Sequence, residues 1–345
     1  MDDNGRRGTM LGPASVDATG EDFSDAWGRR WIVVGEVVSQ EIDIGAMDER
    51  RSVDYVPPPE PDPRTLSVEE LAEKLRPRRL AGGYEYRLEQ PDFEVAEKIL
   101  AMEEPPHTEG FRAQEAGFTQ EAEFIIGTDD RSRLEAPRFW PGSANAYLAP
   151  QNCTATMIGP STALCAAHCF YNGGWIASSS ITFGADTVAP TAPFGSFLAD
   201  SLTIPGAWDV APSSPGGGWD WDFAVLEFSP ARPDIGRQTG WFGTAQNFNL
   251  AHGMVGYPTD KPVPSSWIKA GTFTAAPGSR YEHNIDVWPG DSGAGAYHIS
   301  DDARCAGIQS TQWRTTNPPR VWNEVRRWDP TTHNFFHAYG NWPRL

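Results

Sequence analysis

Along the last two thirds of the chain, apolar residues come in short bursts rather than at helical spacing. Runs such as CTATMIG (153–159), ALCAAH (163–168), FAVLEF (223–228), MVGYP (254–258), IKAGTFTAA (268–276), GAGAYHI (293–299) and AGIQS (306–310) recur between clusters of Gly, Pro, Asn and Asp. Strands of this length between turn-forming residues predict an all-β sandwich or barrel. No long helical period occurs before the last twenty residues, and no internal repeat is visible.

The first third has a different pattern. Residues 1–27 are polar and predict disorder. RRWIVVGEVV (29–38) predicts a strand, and VPPPEPDP (56–63) a stiff extended linker. LSVEELAEKLRP (66–77) predicts a short helix. Ser67 and Glu70 stand at capping-box spacing there, and Pro77 ends it. PDFEVAEKILAME (91–103) predicts a second amphipathic helix.

Charge sharpens this division. Residues 1–123 hold 28 Asp/Glu against 14 Lys/Arg, so −14 of the chain's net −18 lies there. The sequence therefore divides into an acidic N-terminal leader or pro-segment (1–123) and a second unit (124–345). Such acidity argues against nucleic-acid binding, which needs cations to neutralise phosphates. No apolar run approaches the roughly 18 residues of a membrane-spanning helix, and the N-terminus lacks the apolar core of a signal peptide. The four cysteines, Cys153, Cys165, Cys169 and Cys305, match no zinc spacing, and three pairings are open to them.

The stretch WPGDSGAGAY (288–297) raises Ser292 as a nucleophile. A serine hydroxyl attacks only when a base takes its proton, and the base needs an orienting acid. TALCAAHCFY puts His168 at the end of an apolar run, and WDWDFAVLEF puts Asp222 at the start of another. A carboxylate beside a buried strand needs a partner, and a histidine ring nitrogen supplies one. Asp220 is the nearby competitor for this role. An α/β-hydrolase elbow is excluded, since Ala294 stands where its last glycine belongs and the His, Asp, Ser order is the reverse of that fold's.

These segments, together with FIIGTDDR (124–131), PFGS, TGWFG, VGYPTDKP and NEVRR, resemble the motif set of chymotrypsin-fold serine peptidases. The closer likeness is to the bacterial glutamyl-endopeptidase branch. It covers about residue 124 to the C-terminus and implies two six-stranded antiparallel β-barrels, preceded by a partly disordered leader with short helices. It implies a serine endopeptidase with His168 as base, Asp222 as orienting acid, Ser292 as nucleophile, and the N–H groups of Gly290 and Ser292 as oxyanion hole. It also pairs Cys153 with Cys169, leaving Cys165 and Cys305 as buried thiols or a second bridge.

The primary pocket by this resemblance includes Asp286, Val287, Gln309 and Ser310. Asp286 falls where trypsin-like enzymes bind Arg or Lys, although the glutamyl branch often carries an acid there without basic specificity. Gln309 and Val287 stand where that branch carries His and Thr. Asp291 implies a zymogen, with an N-terminal domain that stays attached as the alternative. Cleavage near Glu123 would free an amine at Phe124, Ile125 or Ile126 to meet Asp291. The expected molecule is an exported monomer acting on protein or peptide substrates, away from nucleic acid and membrane, without cofactor or metal. A catalytically inactive binding module on the same fold is the alternative.

Overall fold

A computed structural model describes residues 20–37, 51–53, 62–110, 129–176, 179–209, 218–228, 232, 234–246, 251–275, 278–299, 304–316 and 319–340. The protein is mostly β, with few helices, as the short apolar bursts predict. Two sheets carry the fold.

The C-terminal sheet closes on itself. Its strands are β10 (Ala251–Gly256), β11 (Trp267–Ala275), β12 (Arg280–His283), β13 (Gly295–His298), β14 (Arg304–Thr316) and β15 (Pro319–Arg327). They run β14-β13-β10-β11-β12-β15, and β15 returns to pair with β14 to complete a six-strand barrel. Met254, Phe273, Tyr281, Ile285, Ala296 and Val325 form part of its buried interior. Two short segments, Gly243–Thr244 and Arg51–Val53, pair parallel with β14, so this sheet is not purely antiparallel.

The other sheet departs from the expected closed barrel. Strands β4 (Asn145–Ala149), β5 (Cys153–Met157), β6 (Thr162–Cys165), β7 (Ser180–Phe183), β8 (Ser201–Ile204) and β9 (Ala224–Glu227) run β8-β9-β6-β5-β4-β7. Among the described residues no ladder joins β8 back to β7. The edge of β8 is taken instead by the N-terminal segment, so that eleven strands form one open sheet.

That segment comprises β1 (Arg30–Glu36), α1 (Val68–Leu75), β2 (Arg78–Ala81), β3 (Tyr84–Leu88) and α2 (Phe93–Ala101). A two-residue Gly82-Gly83 turn, both glycines at positive φ, joins β2 to β3 as tight hairpins require. The Ser67 hydroxyl accepts from Glu70 N, and the Glu70 carboxylate accepts from Ser67 N, closing the capping box. Strand β2 pairs antiparallel with β8, setting Ala81 opposite Ser201 and Arg78 opposite Ile204. Half-buried Arg79 meets buried Glu227 at 2.7 Å across the junction. Helix α2 packs on α3 (Pro330–Tyr339), at the other end of the chain. The change of charge at residue 123 is thus not a spatial division for the described part of residues 1–123. Edge strands invite pairing, and here a preceding segment of the same chain provides it. Among the described residues no helix is long and apolar enough to cross a membrane.

Candidate active site

The candidate residues meet where the two sheets face each other. His168 follows β6 in a single 3-10 turn, Ala167–Cys169. Asp222 caps the turn Trp219–Trp221 and leads into β9. Strands β6 and β9 pair with Ala224 opposite Cys165, so the residues just outside the ladder, His168 and Asp222, lie side by side.

His168 Nδ1 lies 2.8 Å from Asp222 Oδ2, and the His168 backbone N–H donates to Asp222 Oδ1 at 2.9 Å. Asp222 has no solvent exposure. A third bond comes from the other sheet, where the Ser310 hydroxyl on β14 donates to Asp222 Oδ2. Three donors on one buried carboxylate meet the requirement that a buried charge be paired and hydrogen-bonded. Two tryptophan rings, Trp208 and Trp219, stand 6.4 and 6.1 Å from the imidazole. The competitor Asp220 points elsewhere. It accepts from Ser279 N at 3.0 Å and faces Arg280 at 3.6 Å.

Ser292 is brought to the same place through its backbone. Its carbonyl accepts from Thr154 N at 2.9 Å, and Thr154 Oγ1 donates to Gly290 O at 2.8 Å. Thr154 neighbours Cys153, which forms a disulfide with Cys169, next to His168. Strand β5 therefore links the His168 turn to the Ser292 turn. Among the described hydrogen bonds none joins the Ser292 hydroxyl to His168, and such bonds often tighten only when substrate is present.

The turn itself is tightly specified. Gly290 has φ of +104°, and a Cβ there would stand 2.3 Å from Tyr257 O. Only glycine fits that conformation and space. Asp291 N donates to Trp288 O, Trp288 N returns a bond to Asp291 Oδ2, and Ala294 N donates to Asp291 O. Gly293 N donates to Gln309 O and Gln309 N to Ala294 O, stitching the turn to β14.

The remaining candidates fall into place as follows. Val287 and Gln309 are buried, while Asp286 is half-buried and accepts from Asp130 N at 3.3 Å. Burial and the nearby Asp286 hold the Asp130 carboxyl above its usual range. Gln309 Oε1 pairs with His283 Nε2 at 2.8 Å, and Gln309 Nε2 donates to Thr311 O. Because His283 Nδ1 accepts from Ile285 N, Nε2 carries the proton, and burial lowers the ring's pKa to about 4. Ser310, a further pocket candidate, directs its hydroxyl to Asp222. Glu123, Phe124 and Ile125 lie outside the described residues. Asp291, expected to meet an amine from that segment, is ion-paired with Lys269 on β11.

Cys165 and Cys305 are free, buried thiols rather than a second bridge. Cys153, His168 and Cys169 have ligand atoms within 4.8 Å of one another, but the two sulfurs are bonded together and offer no thiolate to a metal. Thr154 and Lys269 were missed in the sequence. A threonine in a strand and a lysine in IKAGTFTAA carry no local signal of their roles.

No family model matches the chain. It is 28% identical over 195 residues to a glutamyl endopeptidase of Bacillus licheniformis, covering 53% of this chain and 58% of that protein. It is 24% identical over 226 residues to an extracellular metalloprotease of Bacillus subtilis, covering 59% of this chain and 69% of that protein. The chain thus spans little more than half the length of the first of these relatives. A solved Glu endopeptidase in complex with MPD superposes with a TM-score of 0.52 at 24% identity, over 62% of this chain and 98% of that one. The fold is chymotrypsin-like, and the sequence is homologous to a glutamyl endopeptidase.

Proposed function

We propose that this protein is a serine endopeptidase working through His168, Asp222 and Ser292. The observation that carries the reading is the 2.8 Å contact of His168 Nδ1 with wholly buried Asp222, with Ser310 donating to the same carboxylate oxygen. A carboxylate so held fixes the imidazole with its proton on Nδ1 and leaves Nε2 as a base.

In the proposed reaction His168 Nε2 takes the Ser292 hydroxyl proton as Oγ bonds to a peptide carbonyl carbon. The carbonyl oxygen becomes an oxyanion. The N–H groups of Gly290 and Ser292 are its donors, and neither has a protein acceptor among the described hydrogen bonds. The imidazolium then gives its proton to the amine nitrogen as the C–N bond breaks, leaving an ester on Ser292. Water attacks that ester with His168 again as base, releasing the acid and restoring the serine. A lost oxyanion donor typically lowers the rate by roughly 100- to 1000-fold.

The substrates in this reading are proteins or peptides, and the enzyme works outside the cell. The disulfide beside His168 supports an oxidising compartment. For the primary pocket, the Gln309 amide is oriented by His283 and Thr311, which supports recognition through a neutral donor rather than a fixed charge.

The test is labelling with an organophosphonate probe, alongside mass-spectrometric mapping of peptides cut from a proteome. Labelling at Ser292, and cuts absent from Ser292→Ala, are expected. An unreactive Ser292, with no cuts by either protein, would return the chain to the binding-module alternative.

A further inference from the structure

Asp291 stands immediately before Ser292, and its side chain is wholly buried. A buried carboxylate requires a cation or a full set of donors. The sequence suggested that a freshly cut amine near residue 124 would be that cation. In the intact chain the position is already filled. The Lys269 ammonium, also wholly buried, forms an ion pair with Asp291 Oδ2, which Trp288 N also reaches at 2.8 Å.

Lys269 is well placed for this. It lies within β11, paired opposite Met254 on β10, so its backbone is fixed by the closed barrel. Two residues further along β10, Gly256 makes room for the carboxylate. A Cβ there would stand 2.1 Å from Asp291 Oδ1. Asp291 in turn organises the turn from Trp288 to Ala294 through its backbone and carboxylate bonds. That turn carries both proposed oxyanion donors.

We propose that Lys269 is the positioning residue that holds the Gly290–Ser292 turn in its working shape, so that the oxyanion site is formed without a newly cut N-terminal amine. The inference rests on the peptidase reading above. Burial raises the Asp291 carboxyl and lowers the Lys269 ammonium, and each is pulled back toward its charged form by the other. The pair therefore belongs together. Asp291 Oδ1 has no hydrogen-bond partner among the described residues. An amine arriving there after cleavage is the rival arrangement, and cleavage tests it.

The experiment uses the full-length chain, intact and after limited proteolysis within residues 111–128. Each form is titrated with an organophosphonate and assayed on a peptide substrate. Lys269→Met and Lys269→Arg are measured in parallel. The intact parent is expected to label at Ser292 and to gain little on cutting. Lys269→Met is expected to lose about 100-fold in kcat per folded molecule, the scale of a lost oxyanion donor, with a smaller change in KM. Lys269→Arg keeps a cation and is expected to recover much of that loss. A merely structural role would lower the folded fraction and leave kcat per folded molecule unchanged.

Should Lys269→Met fail to fold, Lys269→Met/Asp291→Asn removes both charges and is expected to fold with at least a tenfold loss of kcat. A variant that keeps kcat within threefold of the parent overturns the inference. So does a parent that labels only after cutting, which leaves the peptidase reading standing. If no form of the parent labels, the peptidase reading fails as well.

Discussion

Ser310 on β14 and Asp222 before β9 belong to different sheets, yet the Ser310 hydroxyl donates to the carboxylate oxygen that faces His168. The carboxylate that holds His168 is therefore itself oriented from the other sheet. Ser310→Ala removes a hydrogen bond to a charged group, an interaction of about 1.5–3 kcal/mol. The expected result is a tenfold to hundredfold loss of kcat per folded molecule, with a thermal midpoint lowered by several degrees. Steady-state kinetics beside a melting curve check it, and an unchanged kcat would remove Ser310 from the machinery.

Thr154 ties the Ser292 turn to the opposite sheet. Its hydroxyl donates to Gly290 O, accepts from Tyr257 N at 3.2 Å, and its N–H reaches Ser292 O. Thr154→Val keeps the last bond and loses the first two, leaving buried polar groups unmatched. A loss of about 1–3 kcal/mol in unfolding free energy is expected, together with lower kcat. Urea unfolding separates the two effects, because kcat per folded molecule falls only if the turn has moved.

His283 is buried and held neutral, with its folded pKa near 4 against an ordinary value of 6.5. Between those values the unfolded chain binds more protons than the folded one. The stability tied to this group is therefore fully present above about pH 6.5 and is lost as pH falls toward 4. The scale is about 3 kcal/mol by linkage. His333, lowered to about 3 by burial and the neighbouring His337, acts in the same direction. Thermal midpoints measured from pH 7 to 4.5 should decline, and more shallowly in His283→Asn. Equal slopes would show that His283 does not titrate on unfolding.

The pairing of β2 with β8 makes the N-terminal segment part of the first sheet. Residues 124–345 alone would expose the β8 edge and the Glu227 carboxylate that Arg79 covers. A chain shortened to those residues is expected to melt lower and to associate in solution. Adding residues 1–123 in trans should reverse both changes. Light scattering and a melting curve decide this, and an equally stable, monodisperse short chain would sink it.

What the sequence determined by itself was whatever depends on near neighbours. The strand rhythm after residue 123, the Ser67–Glu70 capping box and the glycine at 290 rest on local backbone rules, and all are present in the structure. The His, Asp, Ser settings were legible because each lies in a short segment of recognisable pattern. Tertiary structure decided the rest. Strand patterns state which residues are apolar but not which edges meet, so the sequence left open whether the N-terminal segment stands apart, and its strands extend the first sheet. Lys269 and Asp291 are joined only because β11 and the serine turn meet inside one barrel. The sequence offered Ser310 as a pocket residue but did not show that the register of β14 aims its hydroxyl at Asp222. A buried charge must find its partner, but the partner is chosen by three-dimensional packing, and sequence spacing does not encode that choice.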